Sequence, residues 1–544
     1  MIEPRAAKKS KPPNARQLLN EWNVKVYAGV VAGVIAALII YHWAQWIRRK
    51  TSKSTRTGSS SPLAKASRKI RSLLVRKVPG FPTGGHALLT IAFIGVNIVM
   101  SFHHVDKEKM SNFAARFGWM STANMALCVF FGLKNTLLGV LTGHSYERLN
   151  FFHRRQNRWS TLLEVQNWEG IGAGLAMLLL LMGLARNFGY EWFYVSHMVG
   201  FLLAIIFTGL HRPYWIWKIP VAMVFIAAIW GLDRLIRGSR MLYNLVNNSA
   251  TIYRLPDNGV RLVIKKPLSG ATPGSHCFVW IPGVRPFQTH PFTIVSNTPH
   301  GGLELVLSSY DGFTKALHDR ANTEAGTTVW ASVDGPYGAF SNPKKHDKVV
   351  LIAGGSGATF TFGLATNLLQ HLESESHKRV DFIWAVRKRE NLEWFTDHLQ
   401  SLSQHGAGVN VLFHITREGS VASLSELSEL NVSSPTSLKS PKEKVEALLP
   451  EPGTEQSKET LPSTVAVPQG DRSLGLEGLC DIKFDKLRAG EAITQTLQSA
   501  APGQRVLIAA CGPQSLTEIV QNAAAHCIAS GEISIEVHCE NFGW

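Results

Sequence analysis

The sequence predicts a multi-domain membrane protein: an α-helical transmembrane bundle, then a small antiparallel β-barrel, then a doubly wound α/β domain. Nearly all the long apolar runs lie in the first 240 of the 544 residues, and about 20 apolar residues of helix are what a ~30 Å hydrocarbon core requires. Beyond Arg237 the apolar residues come in short alternating runs between turn residues, the mark of half-buried strands. From Lys348 the order becomes strand, glycine loop, helix, strand, which builds a parallel sheet with crossover helices.

Candidate spans are Val24–Ile47, His86–Phe102, Gly118–Leu141, Ile171–Ala185, Phe193–His211 and Trp215–Leu235. Between the first two, Arg48 to Lys77 holds 11 Lys or Arg in 30 residues, which accounts for much of the formal charge of +17. Flanked by membrane helices, such a run marks a cytoplasmic loop rather than a nucleic-acid site. Arg148, Arg154, Arg155 and Arg158 place the loop around His153 on the same side. For the soluble half to be cytoplasmic too, the segment after His153 must also cross, giving seven crossings with the N-terminus outside. The first apolar run ends in a basic loop and reads as a signal anchor. Cys128, Cys277, Cys480, Cys511, Cys527 and Cys539 form no CxxC pair, so neither a disulfide framework nor a zinc site is indicated.

The strands "GVRLVIKK", "SHCFVWIP", "HPFTIVSN", "LELVLSSY" and "GTTVWASV" make up the barrel, which ends near Phe340. "KVVLIAGGSGATF", "RVDFIWAVR", "NVLFHIT" and "RVLIAACGP" are the strands of the α/β domain. Between about Gly419 and Gly478 the chain is rich in Ser, Pro, Glu and Lys and reads as a disordered insertion. The expected division is 1–85 (helix and basic loop), 86–240 (transmembrane domain), 241–342 (barrel) and 343–544 (α/β domain).

Four positions in the membrane half carry chemistry. His153 is followed fourteen residues later by Asn167, and His197 fourteen residues later by His211. Fourteen residues of helix rise about 21 Å in close to four turns, so each pair sits on one helix face near opposite sides of the membrane. Neutral imidazole is a strong haem-iron ligand, and a polar ring inside a bundle is otherwise costly. Two such helices would hold two stacked haems, one histidine from each helix on each iron. The inner pair, His153 with His197, is complete; the outer site keeps His211 alone, because asparagine is a poor iron ligand. Arg154 to Gln166 also supplies only 13 residues, about 20 Å of rise, too little to cross ~30 Å and turn back. Either one haem is fully ligated, or the sequence after Gln166 lacks a short stretch.

"LTGHSYERLNFFHRR", "YEWFYVSH" and the motifs of the soluble half together resemble the fungal ferric reductases, in the superfamily of ferric reductases and NADPH oxidases. The resemblance covers most of residues 86 to 544. It implies haem b in the bundle, FAD on the barrel and NADPH on the α/β domain. "HPFT" resembles the family's flavin signature, implying His290, Pro291, Phe292 and Thr293 at the flavin. In "DGFTKAL", Gly312, Phe313 and Thr314 would open a helix onto the FAD pyrophosphate, with Lys315 adding charge, since a helix N-terminus offers N–H groups and positive potential. In "LIAGGSGATF", Gly354, Gly355 and Gly357 would admit the nicotinamide nucleotide's pyrophosphate, with Ser356 and Thr359 as donors. The family places Cys511, Gly512 and Pro513 beside the nicotinamide, and a C-terminal aromatic, here Phe542, on the flavin face. "GPYG" and "WAVR" match as well. The family's Gly-Arg-Pro near the adenosine end is replaced by "DIKFDKLRAGEAI", which leaves Arg387, Arg417, Lys483 or Lys486 to meet a 2′-phosphate.

The implied function is electron transfer from cytosolic NADPH through FAD and haem to a ferric or cupric chelate outside, at the plasma membrane, with an iron permease or oxidase system as a possible partner. His103, His104 and Asp106 would lie in an outer loop. A superoxide-forming NADPH oxidase and a haem-defective flavin diaphorase are the alternatives.

Overall fold

The computed structural model describes residues 15–51, 62–135, 141, 175–177, 179–180, 190–210, 218–324, 326–369, 378–404, 408–417, 480–501, 503–530 and 533–541. His153, Asn167, His211, Phe542 and the Ser/Pro-rich stretch 419–478 lie outside them.

The membrane half contains α1 (Ala15–Thr51), α2 (Pro62–Val75), α3 (Gly84–Phe102), α4 (Met110–Gly132), α5 (Tyr190–Leu210) and α6 (Lys218–Leu245). Among the described residues, four helices are long and apolar enough to cross a membrane: α1, α3, α5 and α6. Their exteriors carry residues such as Leu38, Ile91, Val199 and Val224, while polar groups turn inward. Asn23 Nδ2 donates to Met100 O (2.7 Å), Tyr27 OH to Asn124 Oδ1 (2.7 Å) and Asn124 Nδ2 to Asn97 Oδ1 (2.7 Å), tying α1, α3 and α4 together. In hydrocarbon the alternative is an unsatisfied polar group, so such pairs orient helices that greasy contact alone would not. Arg116 is fully buried on α4, where Nη1 donates to Met100 O (3.1 Å) and His103 O (2.9 Å) at the end of α3 and Nε donates to Asn20 Oδ1 (2.6 Å). This corrects one boundary. The helix at the third expected span, read from Gly118, begins at Met110, where Arg116 donates to the last carbonyls of α3, and it is not among the four long and apolar enough to cross.

The last spanning helix, α6, is bolted directly to the barrel. Asp334, with no exposed surface, accepts from Arg237 Nε (2.8 Å) and Tyr337 OH (2.9 Å), with Arg240 at 3.6 Å. Ser332 Oγ donates to Met241 O (2.6 Å) and Asn244 Nδ2 to Val333 O (2.8 Å).

The barrel sheet comprises β1 (Ser249–Leu255), β2 (Gly259–Ile264), β3 (His276–Trp280), β4 (His290–Thr298), β5 (Gly302–Ser308), β6 (Thr327–Trp330) and β7 (Ser332–Tyr337), in the order β6-β1-β2-β5-β4-β3-β7. Its strand pairs are all antiparallel. The two outermost strands, β6 and β7, are joined by Ala331 alone, so the sheet has to curl round on itself. Helix α7 (Phe313–Thr323) plugs it, burying Phe313, Leu317 and Ala321.

The α/β domain has β8 (Lys348–Gly354), α8 (Ala358–Leu369), β9 (Arg379–Val386), α9 (Thr396–Ser403), β10 (Val409–Ile415), β11 (Asp481–Lys483), α10 (Ala489–Gln498), β12 (Arg505–Cys511), α11 (Gln514–Ser530) and β13 (Ser534–Glu540). Its parallel order β11-β10-β9-β8-β12-β13 reverses direction between β8 and β12, the switch point at which such sheets bind ligands.

Barrel and α/β domain lock together along one edge. Asp257 accepts from Lys388 Nζ (2.7 Å) and Asn391 Nδ2 (2.9 Å), and Trp394 Nε1 donates to Pro256 O (2.8 Å). Glu304 pairs with His398 (3.0 Å) and Arg261 (2.7 Å). Gly363 of α8 passes so close to the barrel that a Cβ there would stand 2.4 Å from Gly274 N.

Two outcomes follow from these joints. Asp334→Ala strands Arg237 in a buried site, which costs roughly 3–5 kcal/mol; thermal unfolding of the solubilised chain should show this, with part of the loss recovered in Asp334→Ala/Arg237→Ala. At the second joint, burial pulls the Glu304 carboxyl up, but His398 and Arg261 outweigh it and hold it below its ordinary value of 4.5. Lys388 and Asn391 likewise hold Asp257 down. A lowered carboxylate contributes fully above its unfolded value and loses that contribution as pH falls through its folded value. The domain contact should therefore be intact from neutrality to about pH 4.5 and loosen below it, with Glu304→Gln flattening part of the pH dependence of the melting temperature.

Candidate functional site

Strand β4 and the start of α7 form the first half of the site. The His290 ring stacks on Phe313, centroids 4.4 Å apart and planes at 16°, and Phe292 lies 6.0 Å from the same ring. Thr293 is buried, opposite His276 in the β3–β4 register, and Pro291 is opposite Phe278. Gly312 caps α7 in a left-handed conformation (φ +62°) with no side-chain cap. A Cβ placed there would meet nothing within 4 Å, so the ground before the helix is open. First-turn N–H groups have no acceptor within their own helix, and Lys315 is exposed beside them. Thr314 knits the approach loop: its Oγ1 accepts from Tyr310 N (3.0 Å) and donates to Asp311 O (3.2 Å).

The second half lies at the switch point. After β8, Gly355 to Gly357 make one 3₁₀ turn into α8. The glycines divide their work. Gly355 is exposed, left-handed (φ +55°) and faces open space, and Trp384 Nε1 donates to its carbonyl (3.0 Å). Gly357 is there for the protein's own packing, since a Cβ would stand 2.3 Å from Cys511 O. Gly354 is similar, facing Pro513 Cδ at 2.8 Å, and Gly512 approaches the Gly354 backbone as closely. The loops after β8 and β12 are thus interlocked, and Gly355 alone in the turn faces open space. Ser356 is half-buried; Thr359 is buried, its hydroxyl donating to Ser356 O (3.0 Å), so it braces the turn from within.

Cys511 ends β12, fully buried, and burial drives its thiol well above the ordinary value, with Glu540 and Cys539 adding to the effect. A thiol kept protonated acts by shape and weak hydrogen bonding, not as a nucleophile. The sequence reading passed over two residues on β13. Glu540 stands opposite Cys511 in the register, and buried His538 lies 2.6 Å from it through Nε2 while stacking on Phe360 (5.6 Å, 25°). Their alternation in "VHCEN" puts both on one face of the strand.

At the outer ends of β9 and β10, Arg417 N donates to Arg387 O (3.1 Å), which brings two exposed arginines side by side. Lys483, on β11, pairs with His414 in the register, and Asp485 lies 2.6 Å from His414 Nδ1. In the membrane, His197 is half-buried on α5, its ring 5.3 Å from that of Phe193.

The divided glycine roles make a sharp contrast. Gly357→Ala forces backbone apart from backbone and should abolish nucleotide binding together with a large drop in melting temperature. Gly355→Ala meets no atom and should cost only the left-handed conformation, roughly 1–2 kcal/mol. Melting curves with and without NADPH compare the two.

Residues 244–341 match the family model for an FAD-binding domain, and 346–525 match that for the ferric reductase NAD-binding domain. Together they cover about half the chain. The chain is 28% identical to ferric/cupric reductase transmembrane component 2 of Schizosaccharomyces pombe, over 63% of this chain and 73% of the relative. It is 22% identical to ferric reductase transmembrane component 1 of the same yeast, over 75% and 86%. Ferric reductase transmembrane component 4 of Saccharomyces cerevisiae is 26% identical over 61% of this chain, which spans 50% of that relative. With apolar helices that end on a flavin-type barrel and a nicotinamide-type sheet carrying these two domains, the chain belongs to the fungal ferric reductase family.

Proposed function

We propose that the chain carries electrons from cytosolic NADPH across the plasma membrane to a ferric or cupric chelate outside. One observation carries the reading: a spanning helix, a flavin-type barrel and a nicotinamide-type switch point are joined in series by a buried ion pair, a half-exposed one and interlocked backbone. FAD would convert a two-electron donor into single-electron steps, and haem b would relay those electrons toward the acceptor.

The chain's own residues set the geometry. Half-buried His290, backed by the core residue Phe313, lines the flavin cleft, and Gly312 opens α7 toward the diphosphate. Gly355 admits the second nucleotide's phosphates, while protonated Cys511 and the Cys511–Pro513 turn wall the nicotinamide end. Paired Arg387 and Arg417 favour a 2′-phosphate and hence NADPH, because guanidinium forks suit phosphate oxygens. Phe542 is assigned to the flavin face from the sequence resemblance. The divisions 1–85, 86–240, 241–342 and 343–544 then correspond to anchor and basic loop, haem domain, FAD barrel and nucleotide domain.

Haem ligation rests on the sequence spacing, with His153 and His197 on one iron and His211 facing Asn167 at the incomplete outer site. An iron permease or oxidase system is the partner such a reductase would feed. Reduced-minus-oxidised spectra of purified protein test the assignment. We expect one bis-imidazole haem per chain, lost in His153→Ala and in His197→Ala and retained in His211→Ala, with NADPH-driven reduction of a ferric chelate by membranes. Absence of haem with surviving dye reduction would leave a flavin diaphorase. Superoxide production that takes the place of chelate reduction would make it an oxidase.

A further inference from the structure

The helix α2 interrupts the basic stretch between α1 and α3, and its two faces have different neighbours. Ala64, Arg68, Ser72 and Val75, the half-buried positions, recur at helical spacing and form one face. That face rests on the α/β domain. Ser72 Oγ donates to Ala525 O (2.7 Å) on α11, and from the rim Arg71 Nη2 donates to Ile535 O (2.6 Å) on β13. Just beyond the helix, Lys77 pairs with Glu518 (3.2 Å) and its backbone N–H donates to Asn522 Oδ1 (3.2 Å).

The opposite face is apolar and exposed. It carries Ala66, Ile70, Leu73 and Leu74, with Ile70 58% and Leu73 57% exposed. Lys65, Lys69 and Arg76, all exposed, border it along one side. An apolar strip with a basic margin has the make-up of a helix that lies in a membrane interface. The connection to α3 supplies the location. Gly84 N donates to Arg76 O (2.8 Å), Val78 and Phe81 form a β-bridge, and a Cβ at Gly84 would stand 2.2 Å from Leu73 O. The end of α2 is therefore fixed against the first turn of a spanning helix, on the side where Lys and Arg concentrate. With the α/β domain on one face, the other is left with the bilayer as its neighbour.

We propose that α2 lies in the cytoplasmic interface of the membrane, with Ile70, Leu73 and Leu74 among the acyl chains and Lys65, Lys69 and Arg76 on the headgroups of acidic phospholipids, so that it moors the α/β domain to the bilayer through α11. The mooring requires only that the chain is membrane-embedded and is independent of the redox assignment. It gives the nucleotide domain a second attachment to the membrane, besides the one through α6 and the barrel.

Site-directed spin labelling of the full chain in nanodiscs tests it without reference to haem or NADPH. Nitroxides are placed by Ile70→Cys and by Leu73→Cys, with Glu491→Cys as a water-facing reference, its parent side chain being 65% exposed. Signal from the unsubstituted chain is subtracted. In phosphatidylcholine–phosphatidylserine discs we expect labels 70 and 73 to collide with oxygen severalfold more, relative to a water-soluble nickel chelate, than the reference label does. Adding Lys65→Glu, Lys69→Glu and Arg76→Glu should return label 70 toward the reference ratio, as should discs of phosphatidylcholine alone. Labels as open to nickel as the reference would overturn the proposal, and so would labels shielded equally from both reagents, which would mean cover by protein. An unchanged ratio in the charge-reversed variant would overturn the role of acidic lipid.

Discussion

A carboxylate with no exposed surface, Asp334, is where the membrane half becomes the soluble half. Taking a charge out of water costs several kcal/mol, and the site offsets this with the Arg237 guanidinium, the Tyr337 hydroxyl and nearby Arg240. Both arginines sit on α6, while Asp334 and Tyr337 sit on β7. The pair therefore cannot form unless the barrel takes one orientation on the last spanning helix. Met241 O and Asn244 bind β7 from the same helix, so the joint is a plate and not a pivot. A path for electrons needs fixed distances, and this joint supplies the fixity at the membrane boundary.

The same logic continues inward. The barrel holds the α/β domain through Asp257, Pro256 and Glu304, which engage Lys388, Asn391, Trp394 and His398. Backbone approach at Gly363 leaves no room for a side chain between the two bodies. Within the α/β domain the loops after β8 and β12 interlock through Gly354, Gly357 and Gly512. Glycines that resemble a ligand-binding motif thus serve two purposes, close packing of protein on protein and access for a ligand, and Gly355 alone in the turn faces open ground.

In the membrane the usual arrangement is reversed. Leucines and isoleucines face outward, while Asn20, Asn23, Tyr27, Asn124 and Arg116 face one another, because lipid tails supply no hydrogen-bond partners. The first helix, α1, is held to α3 and α4 by this polar ladder.

The element order, four of the spanning runs, the nine strand-like segments and the glycine and Cys-Gly-Pro loops could be read from one chain, because periodicity and turn chemistry are local properties. Local reading also misled at definite places. The span read from Gly118 leaves Arg116 outside the helix, because the acceptors that tolerate it inside lie on other helices. The 62–75 segment looked like charged loop, because half of its amphipathic pattern is completed only by α11. Glu540 is set across from Cys511 only by the parallel pairing of β12 with β13, and His538, opposite Ala509, reaches it through Glu540. What the sequence determined alone was which segments prefer lipid, strand or helix, and which residues have the chemistry to hold nucleotides. What only the tertiary structure decided was which of those residues meet, since that depends on buried charge pairs, backbone approaches and hydrogen bonds between segments that are distant in the chain, the last up to several hundred residues apart.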